Sequence, residues 1–339
     1  MKVTIQDIAK EAGVSQSSVS LVLNGKKCRI PADTQKRILD IAEEMGYQPP
    51  KARMKKKKPS DKIIGVIYQD LDNFVHVQCM KGIERQASLY GFSVISCDGG
   101  NDMEKNLDYI EILKKMKVSG IILIPSDDMH VSDNNIIIGN ALRNSGVNFL
   151  LLDQAIKNVF CDFVTSDNKA GAAMAVEYLI EQGHKNIGVI TGIPGVYTTR
   201  KRMEGYRETL SLNGIEFDER NVYAGNTQKE SGYAAAGYFY GLGVNAVFAM
   251  NDAMALGVYQ YAQEHGLQIG EDLSVVGFDY SEECADVTPA LTSVRQEGIM
   301  MGKKACEMIV DRILEQDNGP YRSYYFVPKL IEKKSVKAL

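Results

Sequence analysis

Thr4-Ile5-Gln6-Asp7-Ile8-Ala9-Lys10-Glu11-Ala12-Gly13-Val14-Ser15-Gln16-Ser17-Ser18-Val19-Ser20-Leu21-Val22-Leu23-Asn24 reads as two short helices joined by a tight turn. Thr4 is a capping residue type, and Ile5, Ile8, Ala9 and Ala12 fall on one face of the helix that follows. Gly13 stands where a helix C-terminus favours glycine. Ser15 is placed to cap a second helix with Val19, Val22 and Leu23 facing inward, and Asn24-Gly25 ends it. The outer face of that helix carries Gln16, Ser17, Ser20 and Leu21 near its N-terminal end. Such a face suits the DNA major groove, where a recognition helix touches base edges and small hydroxyls reach phosphates. The plainer alternative is a helical hairpin with no ligand.

Working outward, a third helix fits Ala32 to Met45, with Ile38, Ile41, Ala42 and Met45 on one face and Gly46 closing it. Gln48-Pro49-Pro50 breaks the pattern, Lys51 to Lys58 is basic, and Pro59-Ser60 breaks it again, so 48–61 is a linker by composition. Charge is unevenly spread along the 339 residues: 1–62 carry +7 and the remainder −11, within a net −4. A basic arm on an acidic body predicts that only the N-terminus meets a polyanion, the alternative being an unstructured basic tail.

From Lys62 the pattern changes. Strand-like runs start at Ile63, Phe92, Ile121, Asn148, Ile187, Ala246 and Leu273, separated by helical stretches at 76–90, 103–117, 168–182, 200–213, 229–241 and 252–265. This alternation predicts parallel sheets with right-handed crossovers, and its length favours two α/β lobes with a cleft between them over one sheet. The expected domains are a headpiece at 1–47, a linker at 48–61 and a core at 62–339. Lobe one of the core is expected at 62–163 and 293–322, and lobe two at 164–292 and 323–339.

Several classes are disfavoured. The six cysteines (28, 79, 97, 161, 284, 306) form no C-x-x-C pair and lack histidines at metal-ligand spacing, which fits idle thiols in a reducing cytoplasm and no metal. No signal peptide and no run of 18 apolar residues is present, so a cytoplasmic location is expected, with no membrane partner. The four histidines (76, 130, 184, 265) join no nucleophile motif, and no glycine-rich phosphate loop follows the first strand, so no enzyme and no cofactor is expected, an enzyme on this fold or a pure solute-binding receptor being the weaker alternatives.

The N-terminal segment closely resembles the headpiece of the lactose-repressor family. Asp7-Ile8-Ala9, Ala12-Gly13-Val14-Ser15, Val19-Ser20-Leu21-Val22-Leu23-Asn24 and Gly46-Tyr47-Gln48-Pro49 carry the likeness. It continues through Ile64-Gly65-Val66-Ile67, Gly183-His184-Lys185-Asn186-Ile187, Asn251-Asp252-Ala253-Met254-Ala255-Leu256-Gly257 and Val276-Gly277-Phe278-Asp279. The resemblance implies an all-α helix-turn-helix headpiece followed by a periplasmic-binding-protein-like core of two α/β lobes. It also implies a transcription regulator of the repressor type, a homodimer that binds a near-palindromic double-stranded operator and changes affinity when a small effector enters the cleft. The chain ends soon after Phe326-Val327 without a leucine-rich heptad tail, so a dimer is expected and not a tetramer.

Two departures stand out. Many members carry Arg where this chain has Leu21, and leucine cannot make that bidentate contact with guanine. Members also push an apolar wedge from a hinge helix into the minor groove. Counting from Tyr47 that position is Lys56, whereas the large apolar residue nearby is Met54. Pro50 suits a first helical position, and the mutual repulsion of Lys55 to Lys58 would be relieved by phosphates, so ordering of the segment is expected to accompany DNA binding. The full candidate DNA-contacting set is Thr4, Ile5, Ser15, Gln16, Ser17, Ser18, Ser20, Leu21, Asn24, Arg29, Thr34, Tyr47, Lys51, Met54, Lys55 and Lys56.

Ligands of open α/β sheets bind at strand C-terminal ends. Asp72, Asn73 and Phe74 follow the first strand, and Asp153, Asn251 and Asp279 end later ones. By resemblance, Asp153, Arg202, Asn251 and Asp279 match positions that hold the effector's polar groups, with Phe74, His76, Tyr197 and Phe278 offering an apolar face. Carboxylates, an amide and a guanidinium around an aromatic suit a sugar, with a purine or nucleoside, or a protein co-regulator, as the alternative. The plainer reading is that Asn251 and Asp279 only cap local turns. The stacking aromatic of sugar-binding members falls near Thr227, and the chain has no Trp.

Overall fold

The computed structural model describes residues 3–23, 30–47, 62–69, 71–130, 133–315 and 319–339. Three helices form the headpiece: α1 (Ile5–Ala12), α2 (Gln16–Leu23) and α3 (Ala32–Glu44). Thr4 and Asp7 cap α1 reciprocally: the Asp7 amide donates to Thr4 Oγ1, and the Asp7 carboxylate accepts from the Thr4 amide at 2.9 Å. Such a cap stabilises a helix by about 1 kcal/mol. Gly13 ends α1 at φ 62°, a left-handed conformation that costs a side-chain-bearing residue. The Ser18 amide donates to Ser15 Oγ at the start of α2. Ile8, Ala12, Val19, Val22, Leu23, Ile38, Leu39 and Ala42 close a small core.

The remaining elements follow the βα alternation. They are β1 (Ile63–Tyr68), α4 (Phe74–Leu89), β2 (Ser93–Asp98), α5 (Met103–Lys115), β3 (Gly120–Leu123), α6 (Asn134–Ser145), β4 (Asn148–Leu152), β5 (Asp162–Ser166) and α7 (Asn168–Glu181). Then come β6 (Ile187–Thr191), α8 (Tyr197–Leu212), β7 (Val222–Ala224), α9 (Lys229–Gly241), β8 (Ala246–Ala249), α10 (Asp252–Glu264), β9 (Ser274–Asp279) and α11 (Glu283–Asp286). The chain finishes with β10 (Thr292–Arg295), α12 (Gly298–Ile313), β11 (Ser323–Phe326) and β12 (Lys329–Ile331).

Two six-stranded sheets result, ordered β11-β5-β4-β3-β1-β2 and β12-β10-β9-β8-β6-β7. Each contains one doubly wound order, in which the first strand lies between the second and the third; β12 joins β10 antiparallel. The central strands are buried along their length, as strands covered on both faces must be. The second sheet packs Val189, Phe248, Val276 and Phe278 against Val176, Tyr206, Phe239 and Val258 of its helices.

Contacts gather the chain into two units. One holds the described residues of 1–72, 78–164 and 299–324, the other 73–77, 165–298 and 325–339. This corrects three expected boundaries. The headpiece groups with the first lobe, because Ile136 and Phe160 pack against its core. β10 pairs with β9 and β12, so 293–298 stay in the second unit, not in lobe one. β11 pairs in the first sheet, and the division falls within it, between residues 324 and 325, not before Ser323. Both strands are four residues of mixed polarity, and for such strands burial and neighbours decide the pairing.

Candidate nucleic-acid interface and ligand site

The outer face of α2 is set by its buried side. With Val19, Val22 and Leu23 in the core, Gln16 and Ser17 are exposed and Ser20 and Leu21 half-exposed, as the helical period requires. Ser15 is exposed, and its hydroxyl is shared with Ser17 and Ser18 at 2.7 and 2.9 Å, so these three side chains form one polar cluster at the helix start. Thr4 is exposed, while Ile5 and Thr34 are half-buried. Tyr47 does not fit its expected role. It is 4% exposed and belongs to the headpiece core, and its amide donates to the Ala42 carbonyl. The side chain that looked available after Gly46 is spent on closing the third helix. Asn24, Arg29, Lys51, Met54, Lys55 and Lys56 lie outside the described residues.

The second unit brings four of the expected ligand residues together at the carboxyl ends of its strands. Arg202 sits on the second turn of α8 and is 8% exposed. Its Nε donates to Asn168 Oδ1 at 2.8 Å, its Nη1 to the Met250 carbonyl at the end of β8, and its Nη2 lies 3.7 Å from Asp279 Oδ1. The guanidinium lies over the Phe278 ring, 3.7 Å from its centroid, a cation–π geometry that holds the planar fork flat. Asp279 ends β9 at φ 107°, and Gln296, just after β10, donates to its Oδ1 at 2.7 Å. The other Gln296 amide atom, Oε1, is buried without a hydrogen-bond partner. Next to Met250, Asn251 caps α10 by accepting from the Met254 amide at 2.9 Å and donates to the Thr227 carbonyl at 2.8 Å.

Several expectations change here. Phe278 is fully buried under Arg202 and packs in the core, so it offers its face to a guanidinium and not to a ligand. Asn251 is engaged as a cap, as its plainer reading had it. Tyr197 opens α8, 8% exposed, with the Arg200 guanidinium 5.9 Å from its ring. Asn73 caps α4, accepting from the Val75 and His76 amides at 2.9 and 3.2 Å; Phe74 is half-buried and His76 buried. Asp72 is exposed and Asp153 buried at φ 70°, both within the first unit. Sequence reading missed Asn168 and Gln296. Asn168 opens a helix after an apolar strand, a signal that could have found it, whereas Gln296 lies between two elements with no local pattern.

The described residues hold no cluster of three or more His, Cys, Asp or Glu placed for a metal. The five described cysteines are free and buried. Burial raises the thiols of Cys284 and Cys306, leaving them protonated and unreactive at neutral pH. No described helix is long and apolar enough to cross a membrane.

Residues 4–50 match the family described as bacterial regulatory proteins, lacI family, and residues 176–336 match the periplasmic binding protein-like domain. The chain is 30% identical over 339 residues to the HTH-type transcriptional repressor PurR of Vibrio atlanticus (strain LGP32), covering 99% of each chain. It is 29% identical over 338 residues to the PurR of Pasteurella multocida (strain Pm70), again covering 99% of each. Among solved structures it resembles a transcriptional regulator CelR–cellobiose complex (26% identity, TM-score 0.76, 98% of this chain and 100% of that one). It also resembles the lac repressor dimer bound to operator and the anti-inducer ONPF (26%, TM-score 0.73, 100% of both). A LacI family regulator from Enterococcus faecium with bound ribose gives 26% and a TM-score of 0.73 over 82% of this chain and 100% of that one.

Proposed function

The chain belongs to the LacI family of bacterial regulatory proteins and is a DNA-binding transcription regulator; we propose that it is a cytoplasmic homodimeric repressor whose operator affinity is set by a small polyhydroxyl ligand held around Arg202 and Asp279. It binds and releases; it does not turn over a substrate. The headpiece, with Gln16, Ser17 and Leu21 outward, reads a near-palindromic site, one half per protomer. Its domains are the headpiece, the linker at 48–61 and the two α/β lobes.

The observation that carries the ligand reading is the Arg202–Asp279–Gln296 cluster. Nε and Nη1 of Arg202 are spent within the protein, which fixes the guanidinium before any ligand arrives. The polar groups gathered here are the Arg202 guanidinium, the Asp279 carboxylate and the Gln296 carboxamide, whose Oε1 is buried without a hydrogen-bond partner. Two acceptors beside one donor edge suit hydroxyls that both give and take protons, and a preformed site loses little entropy on binding. With its face occupied by Arg202, the Phe278 ring stacks on neither a sugar nor a purine, so the polar groups carry the reading. A purine or nucleoside, which Arg202 and Asp279 would also serve, is the second reading.

The test selects an operator from randomised DNA and follows its binding by fluorescence anisotropy while D-ribose, cellobiose and hypoxanthine are added singly. A sugar should change operator affinity in the unaltered protein, and Asp279→Ala should abolish that response while leaving operator binding intact. A response to hypoxanthine alone would establish the second reading. A full response in Asp279→Ala would remove this cluster from the ligand site.

A further inference from the structure

Asp252 follows the Asn251 cap and is 2% exposed. Its carboxylate is turned toward the turn that leaves β9. Oδ2 accepts from the Ser281 amide at 2.7 Å, and Oδ1 accepts from the Ser293 hydroxyl at 2.6 Å. The same Ser293 oxygen accepts from the Tyr280 amide at 3.2 Å. Two consecutive backbone amides are thus held by one buried carboxylate, directly and through one hydroxyl.

Those amides belong to the turn that displays Asp279. Asp279 and Tyr280 stand at φ 107° and 57°, two successive residues in conformations that favour glycine. Such strain persists only where the surroundings over-determine it. The sequence makes room for the carboxylate as well: a Cβ at Gly277 would overlap Asp252 Oδ1 and crowd Ser293 Oγ. Gly277 therefore serves the approach of Asp252 beneath β9, and not a turn of its own.

We propose that Asp252, acting through Ser293 and the Tyr280 and Ser281 amides, is the positioning residue that fixes the Asp279 carboxylate for ligand recognition. This rests on the reading of Arg202 and Asp279 as the ligand site. Asp252 does not contact the ligand; it sets the backbone conformation from which Asp279 reaches Gln296 and the Arg202 fork. An exposed carboxylate could not do this, because water would compete for both oxygens.

Hydrogen exchange on the full-length protein tests the positioning without any ligand. In Ser293→Ala and Asp252→Asn the Tyr280 and Ser281 amides should exchange at least about tenfold faster, while β6 and β8 keep their protection. Asparagine at 252 would offer a donor where Ser293 expects an acceptor, so it should not substitute. Unchanged exchange at 280–281, or an equal rise throughout the second unit, would overturn the proposal. Calorimetric titration of Ser293→Ala with D-ribose, cellobiose and hypoxanthine tests the link to the site. The probe that binds the unaltered protein should bind the variant at least about tenfold more weakly. Faster exchange with undiminished affinity would overturn that link. If none of the three binds the unaltered protein, the ligand class fails, and the exchange result still decides the role of Asp252.

Discussion

Lys157 Nζ lies 2.8 Å from Asp40 Oδ1, which ties the last turns of α3 in the headpiece to the loop after β4 in the first lobe. The contact is wider than one ion pair. Ile136 and Phe160 pack on the headpiece core, and the Asn158 carboxamide, oriented to satisfy its neighbours, donates to the Leu39 carbonyl and the Glu43 carboxylate. The α2 face with Gln16 and Ser17 remains exposed while α3 is held. A zero-length carbodiimide should therefore link Asp40 to Lys157 within one chain, seen as a joined peptide from the monomer band. A link confined to the dimer band would place the contact between protomers. Because both side chains are partly solvated, Lys157→Glu should cost less than about 1 kcal/mol of stability.

The exposed start of α2 should govern sequence preference. Gln16→Ala and Ser17→Ala are expected to shift the preferred site in a selection from randomised DNA while non-specific affinity stays similar, since base contacts specify and phosphate contacts do not. If both variants select the parental site, another face reads the bases.

Arg312 and Asp162 form the most buried ion pair among those described, with side chains 6% and 2% exposed. The geometry is bidentate, both contacts at 2.6 Å, and Arg312 also donates to the Gly319 and Pro320 carbonyls. Arg312→Ala strands a buried carboxylate, so urea denaturation should show a loss of about 3–5 kcal/mol. A loss under about 1 kcal/mol would mean that water or Arg322 compensates fully.

Asp252 makes stability depend on pH. Burial raises its pKa from 3.8 to about 6, against the opposing hydrogen bonds from Ser293, the Ser281 amide, Cys284 and the Tyr280 amide. The folded state therefore holds this proton more tightly than the unfolded chain. The contribution is fully present below the unfolded value near 3.8 and is lost as pH rises through about 6, on the order of 3 kcal/mol in all. The difference in unfolding free energy between the unaltered protein and Asp252→Asn should fall across that window. A flat difference would show that Asp252 titrates as an ordinary carboxylate.

The sequence by itself determined the elements whose pattern is local. Thr4, Gly13, Ser15 and Gly46 mark helix ends through short-range hydrogen bonds and φ values, and α1, α2, α9 and α10 stand where capping and periodicity put them. The apolar runs of β1, β4, β6 and β8 were legible because central parallel strands are buried on both faces. Arg202 and Asp279 were legible as ligand candidates only through resemblance and their place at helix starts and strand ends. The tertiary structure alone decided the rest. β5, β7 and β12 are too short or too mixed in polarity for a period to register, and β10 and β11 take their sheets from their neighbours. Phe278 looked like a ligand surface until Arg202 covered it, and Tyr47 like a DNA contact until the headpiece core enclosed it. Asn168, Gln296 and the Asp252–Ser293 relay join residues 34, 17 and 41 positions from their partners. Hydrogen bonds over such separations leave no periodic trace in the chain, because what brings the partners together is the packing of strands and helices around one core.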